Sequence, residues 1–220
     1  MTQKTKQHRI TAKYTIIEEV INSTTHGIGI LFSIVGLTVL VAFASLNGSP
    51  ILITSCAIFG GTMIFAYSSS TLYHAITNEK AKQIFRQFDH ASIYLLIAGT
   101  YTPISLILLN DSLRWFIFFV IWIVAIVGVV LKFVYANRFK RLSLVLYLIM
   151  GWFIVVATNQ LMTNMQTNGL WLLLIGGLFY SVGVIFYVWR LLPYNHAIWH
   201  LFVLSGSVTH YFMVLFYVIP

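Results

Sequence analysis

Two histidines four residues apart, His196 and His200, open the last apolar stretch of the chain, in Pro193-Tyr194-Asn195-His196-Ala197-Ile198-Trp199-His200. In a helix that spacing stacks both imidazoles on one face. The residues beyond them, Leu201 to Ile219, are almost entirely apolar. Ionisable groups in such a setting are costly and usually functional. The chemistry that suits them is metal coordination, and neutral imidazole is the commonest nitrogen ligand of zinc. Candidate partners lie far back in the chain, at Ser70, His74 and Asp89. Three histidines would leave the open fourth position of a catalytic zinc site, and a carboxylate such as Asp89 would accept a proton from water there. Ser70, one helical turn before His74, would hydrogen-bond that water, Asp89 or a substrate oxyanion. The pair His196-x-x-x-His200 lacks the glutamate of His-Glu-x-x-His, so this is not a zincin.

Those residues have to be positioned by membrane-spanning helices. Of 220 residues 59% are hydrophobic and only 8% charged, and the mean hydropathy is +0.88. A soluble domain carries roughly three times that share of charge. The net charge of +8 sits in short loops and the N-terminal tail, where it sets topology and does not imply nucleic-acid binding. A single Cys56 excludes an intrachain disulfide and a CxxC motif. Basic residues before an apolar run, with Ala42-Phe43-Ala44 after it, resemble a cleavable leader. The preceding stretch is long and contains Glu18 and Glu19, and the run is long enough to span, so it reads as a retained helix.

Residues 1–13 read as a flexible cytosolic tail and 14–25 as an interfacial amphipathic helix, with Ile16, Ile17, Val20 and Ile21 at helical spacing. Seven apolar segments follow within 26–220, near 26–46, 51–74, 90–109, 113–135, 141–162, 169–191 and 196–219. Each holds roughly the 20 residues a span needs. The expected fold is an all-α, seven-transmembrane helix bundle. Twelve of the thirteen Lys and Arg fall on one side, and only Arg114 on the other. The positive-inside rule then puts the N-terminus in the cytosol and the C-terminus outside.

This topology brings the end of span 2, the start of span 3 and the start of span 7 to one membrane depth. Ser70, His74, Asp89, His196 and His200 therefore share a level, although over a hundred residues separate the first from the last. Taken singly, each also reads as an interfacial residue: His74 as a snorkelling helix end, Asp89 as the cap of span 3. Around them, His26 reads as a packing residue or an outer support of the site. His90 is turned about 100° from Asp89. His210, about 15 Å deeper than His200, reads as an interhelical donor. Glu19 and Asn22 read either as braces holding the surface helix to the bundle or as a solvated face. Pro103 should kink span 3, with a threonine satisfying the freed carbonyl. Gly176, Gly177, Gly183 and Gly206 suit close helix packing.

The segment Ser70-Thr71-Leu72-Tyr73-His74, the Phe88-Asp89-His90 start of span 3 and the His196-x-x-x-His200 of span 7, in that order, resemble the hemolysin III family. That family is the bacterial branch of the progestin and adipoQ receptor proteins, which resemble alkaline ceramidases. The stretch Glu18-Glu19 to His26-Gly27 also looks like the bacterial branch. The resemblance implies a zinc ion near the cytosolic face held by His74, His196 and His200. It further implies a water held by Asp89, support from Ser70, and residence in the bacterial inner membrane. Three functions follow: a zinc hydrolase of a lipid-like amide or ester, a receptor or regulator with structural zinc, and a pore-forming, cytolytic protein. No span shows a sustained polar stripe that would line a pore within one subunit.

Overall fold

The computed structural model describes residues 14–135 and 140–220. Among these the structure is helical without strands, and seven helices are long and apolar enough to cross a membrane. The expected tail 1–13 lies outside the described residues.

The first helix, α1 (Ile16–Leu46), runs unbroken through both the amphipathic stretch and the first apolar segment. It starts where Thr15 and Glu18 form a capping box. The Glu18 carboxylate accepts from Thr15 N–H at 2.8 Å, and the Thr15 hydroxyl accepts from Glu18 N–H at 3.2 Å. Helix α2 (Pro50–Ala75) begins with Ser49 as its cap and proline at the first position. Helix α3 (Glu79–Pro103) begins at Asn78, whose side-chain oxygen accepts from Ala81 N–H at 3.1 Å. Asn78 is therefore the cap of the third span. Asp89 lies ten residues inside that helix and is only 4% exposed, so the capping alternative does not hold.

Past Pro103, which lacks an N–H, the third span continues as a π-helical turn, Ile104–Leu108. The nearby hydroxyls do not bond Gly99, the residue four before the proline. Thr102 donates to Ala98 O and Ser105 to Tyr101 O, each at 2.8 Å.

Helix α4 (Asp111–Tyr135) is followed by a fifth span in three pieces: α5 (Lys140–Trp152), a 3₁₀ stretch Phe153–Ala157 and α6 (Thr158–Asn164). Tyr101 of α3 supports this break. Its hydroxyl donates toward Met150 O and accepts from Ile154 N–H, both at 2.7 Å. Helix α7 (Thr167–Val188) then leads through Tyr194, in the left-handed conformation (φ 56°), into α8 (Asn195–Tyr217).

The third span is the most enclosed, packed between α2 and α4, and Phe59, Met63, Tyr67 and Tyr94 lie in the core. Large apolar side chains such as Leu31, Phe119, Ile123, Val156 and Ile185 face outward, as a lipid solvent requires. Close approach at the α7–α8 seam depends on small residues. A Cβ at Gly176 would lie 2.2 Å from His210 Cδ2, and one at Gly206 2.8 Å from the Tyr180 ring.

Candidate metal centre

His74 ends α2, while His196 and His200 occupy the first two turns of α8. The turn at Tyr194 aims α8 back into the bundle, and Asn195 Nδ2 ties its start to Phe186 O at 3.0 Å. The three imidazoles meet, with one nitrogen from each within 4.8 Å of the others. All three residues are buried, at 3%, 5% and 0% exposure.

Hydrogen bonds decide which nitrogen His74 and His200 offer. His74 Nδ1 is 2.5 Å from Glu19 Oε2, and a carboxylate accepts, so Nδ1 carries the proton and Nε2 keeps its lone pair. His200 Nδ1 faces Asn22 O at 3.2 Å and must likewise donate, leaving Nε2 as acceptor. That Nε2 is buried and has no hydrogen-bond partner among the described residues. His196 Nε2 lies 3.2 Å from His74 Nε2. A proton or a cation has to sit between two such nitrogens. A tetrahedral zinc at 2.0–2.1 Å from each ligand separates its nitrogens by about 3.3 Å, the spacing this pair already has. The donor set therefore fits a transition-metal ion, on an orphaned buried lone pair and on a nitrogen pair at coordination spacing.

The surroundings enclose this cluster. Tyr14, just ahead of α1, stacks on His196 with ring centroids 4.9 Å apart. Burial raises the Tyr14 phenol pKa, with Tyr73, Tyr187, Glu19 and Asp89 adding to it. Glu19 Oε1 also pairs with Lys82 Nζ at 3.0 Å. His26 stacks on His200 and stays out of the group of three.

Beside the histidines a cavity of about 140 Å³ opens among the helices, with His196, Ser70, Asp89 and His26 among its lining residues. Leu96, Ile97, Leu148 and Val203 make it mostly apolar. The Ser70 hydroxyl is buried without a hydrogen-bond partner among the described residues. The five residues picked from the sequence thus reach one place: three as a nitrogen cluster, and Ser70 and Asp89 on the wall of the adjoining cavity. His90 stays out of the nitrogen cluster: it lines the same cavity, with its Nδ1 2.7 Å from Arg86 O and 3.4 Å from Asp89 Oδ2. His210 donates Nε2–H to Leu173 O at 3.1 Å, the interhelical bond expected of it.

The same chain matches the Haemolysin-III related family over residues 14–211. It belongs to that family. Hemolysin-3 of Bacillus cereus is 47% identical over 203 residues, covering 92% of this chain and 93% of that protein. The Hemolysin-3 homolog of Bacillus subtilis (strain 168) is 47% identical over 204 residues, 93% of this chain and 96% of its own. More distant is the human Monocyte to macrophage differentiation factor, 31% identical over 227 residues and 96% and 91% of the two chains. This Haemolysin-III related chain is thus a multi-pass membrane protein, and its family match spans the whole candidate centre from Tyr14 to His200.

Sequence reasoning missed two contributors. Tyr14 carried no signal beyond being aromatic before a helix. The sequence pattern marks Glu19 only as a brace or a solvated residue, and its contact with His74 crosses 55 positions.

Proposed function

We propose that this protein is an intramembrane zinc hydrolase acting on a lipid-like amide or ester. The observation that carries the reading is the orphaned Nε2 of His200 beside the His74–His196 pair, with His196, Ser70 and Asp89 lining an apolar cavity. His74, His196 and His200 would hold the metal, the first and last through Nε2. Zinc bound there supplies positive charge that polarises a carbonyl and makes water more acidic. Asp89, as general base, takes a proton from the attacking water as the carbon–oxygen bond forms. It returns that proton to the departing amine or alcohol as the scissile bond breaks. The Ser70 hydroxyl, which has no hydrogen-bond partner among the described residues, donates to the carbonyl oxygen as negative charge develops on it. The apolar cavity wall accepts the acyl chain.

In this reading the N-terminus faces the cytosol of a bacterial inner membrane, so the site lies near the cytosolic leaflet. The charge asymmetry of Lys and Arg supports that orientation.

A second reading makes the metal structural. It is favoured by the outer bonds of two histidines, both of which go to α1, so an ion here would stitch α1, α2 and α8 together.

The test is product release from lipid amides and esters by the purified protein in proteoliposomes, read by mass spectrometry. Hydrolysis that Asp89→Asn abolishes supports the enzyme. A zinc-loaded protein that releases no product from any of them, and loses stability on zinc removal, supports the structural role.

A further inference from the structure

Helix α1 contributes none of the three histidines, yet one of its acids reaches the centre. Glu19 stands in the first turn of the helix that the sequence marks as amphipathic. Its Oε2 receives His74 Nδ1–H at 2.5 Å, and its Oε1 receives Lys82 Nζ at 3.0 Å. The His74 side chain is fully buried and that of Glu19 is 19% exposed, so the bond is sheltered from water. Lys82, in the first turn of α3, also lies 3.4 Å from His74 O and 3.3 Å from Ile76 O, at the end of α2. One carboxylate therefore joins the ends of three helices at the ring that faces His196.

We propose that Glu19 is the positioning residue of the metal centre. It holds His74 in the tautomer and orientation that present Nε2, and it makes that imidazole a stronger ligand. This rests on the zinc reading above. The reason is general: a carboxylate on the far nitrogen of a ligating imidazole fixes the ring and raises its basicity. His200 has only a neutral partner in the same role, the carbonyl of Asn22. The charged support is thus concentrated on His74.

A bland alternative is that Glu19 merely braces α1 against α3 through Lys82. The two roles separate in a single set of measurements on the full-length, detergent-solubilised protein. Zinc affinity is read by competition with a chromogenic chelator, and ligand geometry by the visible absorption of the cobalt-substituted protein. Glu19→Ala should weaken zinc binding by about ten- to a hundredfold and alter the cobalt spectrum. Glu19→Gln, whose amide oxygen still accepts from Nδ1–H, should lose less but still more than about threefold. Lys82→Met, which removes the brace and leaves the Glu19–His74 bond, should stay within about threefold of wild type. The inference is overturned if Glu19→Gln binds zinc like wild type, or if Lys82→Met reproduces the Glu19→Ala loss. Should Glu19→Ala not fold, Glu19→Gln and Lys82→Met still decide. A wild type that takes up no zinc overturns the zinc reading itself, whereas zinc-binding wild type with an indifferent Glu19 overturns only this inference.

Discussion

The imidazole of His26 lies flat on that of His200, with ring centroids 3.6 Å apart and planes 9° from parallel. Lone pairs on imidazole nitrogens lie in the ring plane, so an ion in line with His200 sits about a ring's thickness out of line with His26. Tyr67 meets the His26 ring edge-on, at 5.1 Å. His26 is therefore a packing partner of a ligand candidate, and His26→Phe should keep metal content at the wild-type level. His26→Ala should lower thermal stability, by about 1–3 kcal/mol, through loss of the stacked ring. Metal analysis beside a thermal melt checks both.

Ser70 and Asp89 stand on the cavity wall and outside the nitrogen cluster. Asp89→Asn and Ser70→Ala should retain the metal. If the hydrolase reading holds, they lower turnover, the former by about 10²–10⁴-fold as expected for loss of a general base. Metal content and product release, measured on the same preparations, separate this from a ligand role.

At the α7–α8 seam, Gly176 leaves room for the His210 ring, which donates to Leu173 O. Gly176→Val should push α7 off α8 and lower stability by about 1–3 kcal/mol. The change is far from the histidine cluster along α8, so zinc affinity measured in the folded fraction should be unaffected.

Tyr14 couples stability to alkaline pH. Burial keeps its phenol protonated at pH values where the unfolded chain, with an ordinary pKa of about 10, has ionised. A raised folded pKa means that the stabilisation is complete below about pH 10 and is lost progressively above it. Tyr14→Phe removes this titration and keeps an aromatic ring over His196. Between about pH 8 and pH 11 the melting temperature of the variant should fall less than that of wild type.

Much of this architecture was legible in the sequence because a bilayer imposes long apolar runs. Pro50 and Tyr194 mark helix starts within a residue or two of where the apolar pattern changes. The histidines stood out because nothing in an apolar helix requires them, and His196 and His200 announce a shared face by their spacing. Less legible was α1. Ile16, Ile17 and Val20 remain exposed, as the amphipathic pattern implies, yet the same turns carry Glu19 and Asn22 inward. Periodicity registers which face is apolar and says nothing about which acid meets a ring 55 residues away. The start of the third span was hidden for a similar reason. Glu79 to Gln87 is too polar to read as membrane helix, so Asp89 looked like a terminus when it is interior. The π turn after Pro103 and the three-part fifth span depend on tertiary contacts such as the Tyr101 hydroxyl, which no local pattern records.

The most direct test of the account is the metal content of the protein purified without chelator, by mass spectrometry, beside His74→Ala, His196→Ala and His200→Ala. The account predicts about one zinc per chain in the wild type and its loss in each variant. A correctly folded wild type without zinc, or variants that keep it, would contradict the central claim and return the three histidines to packing roles.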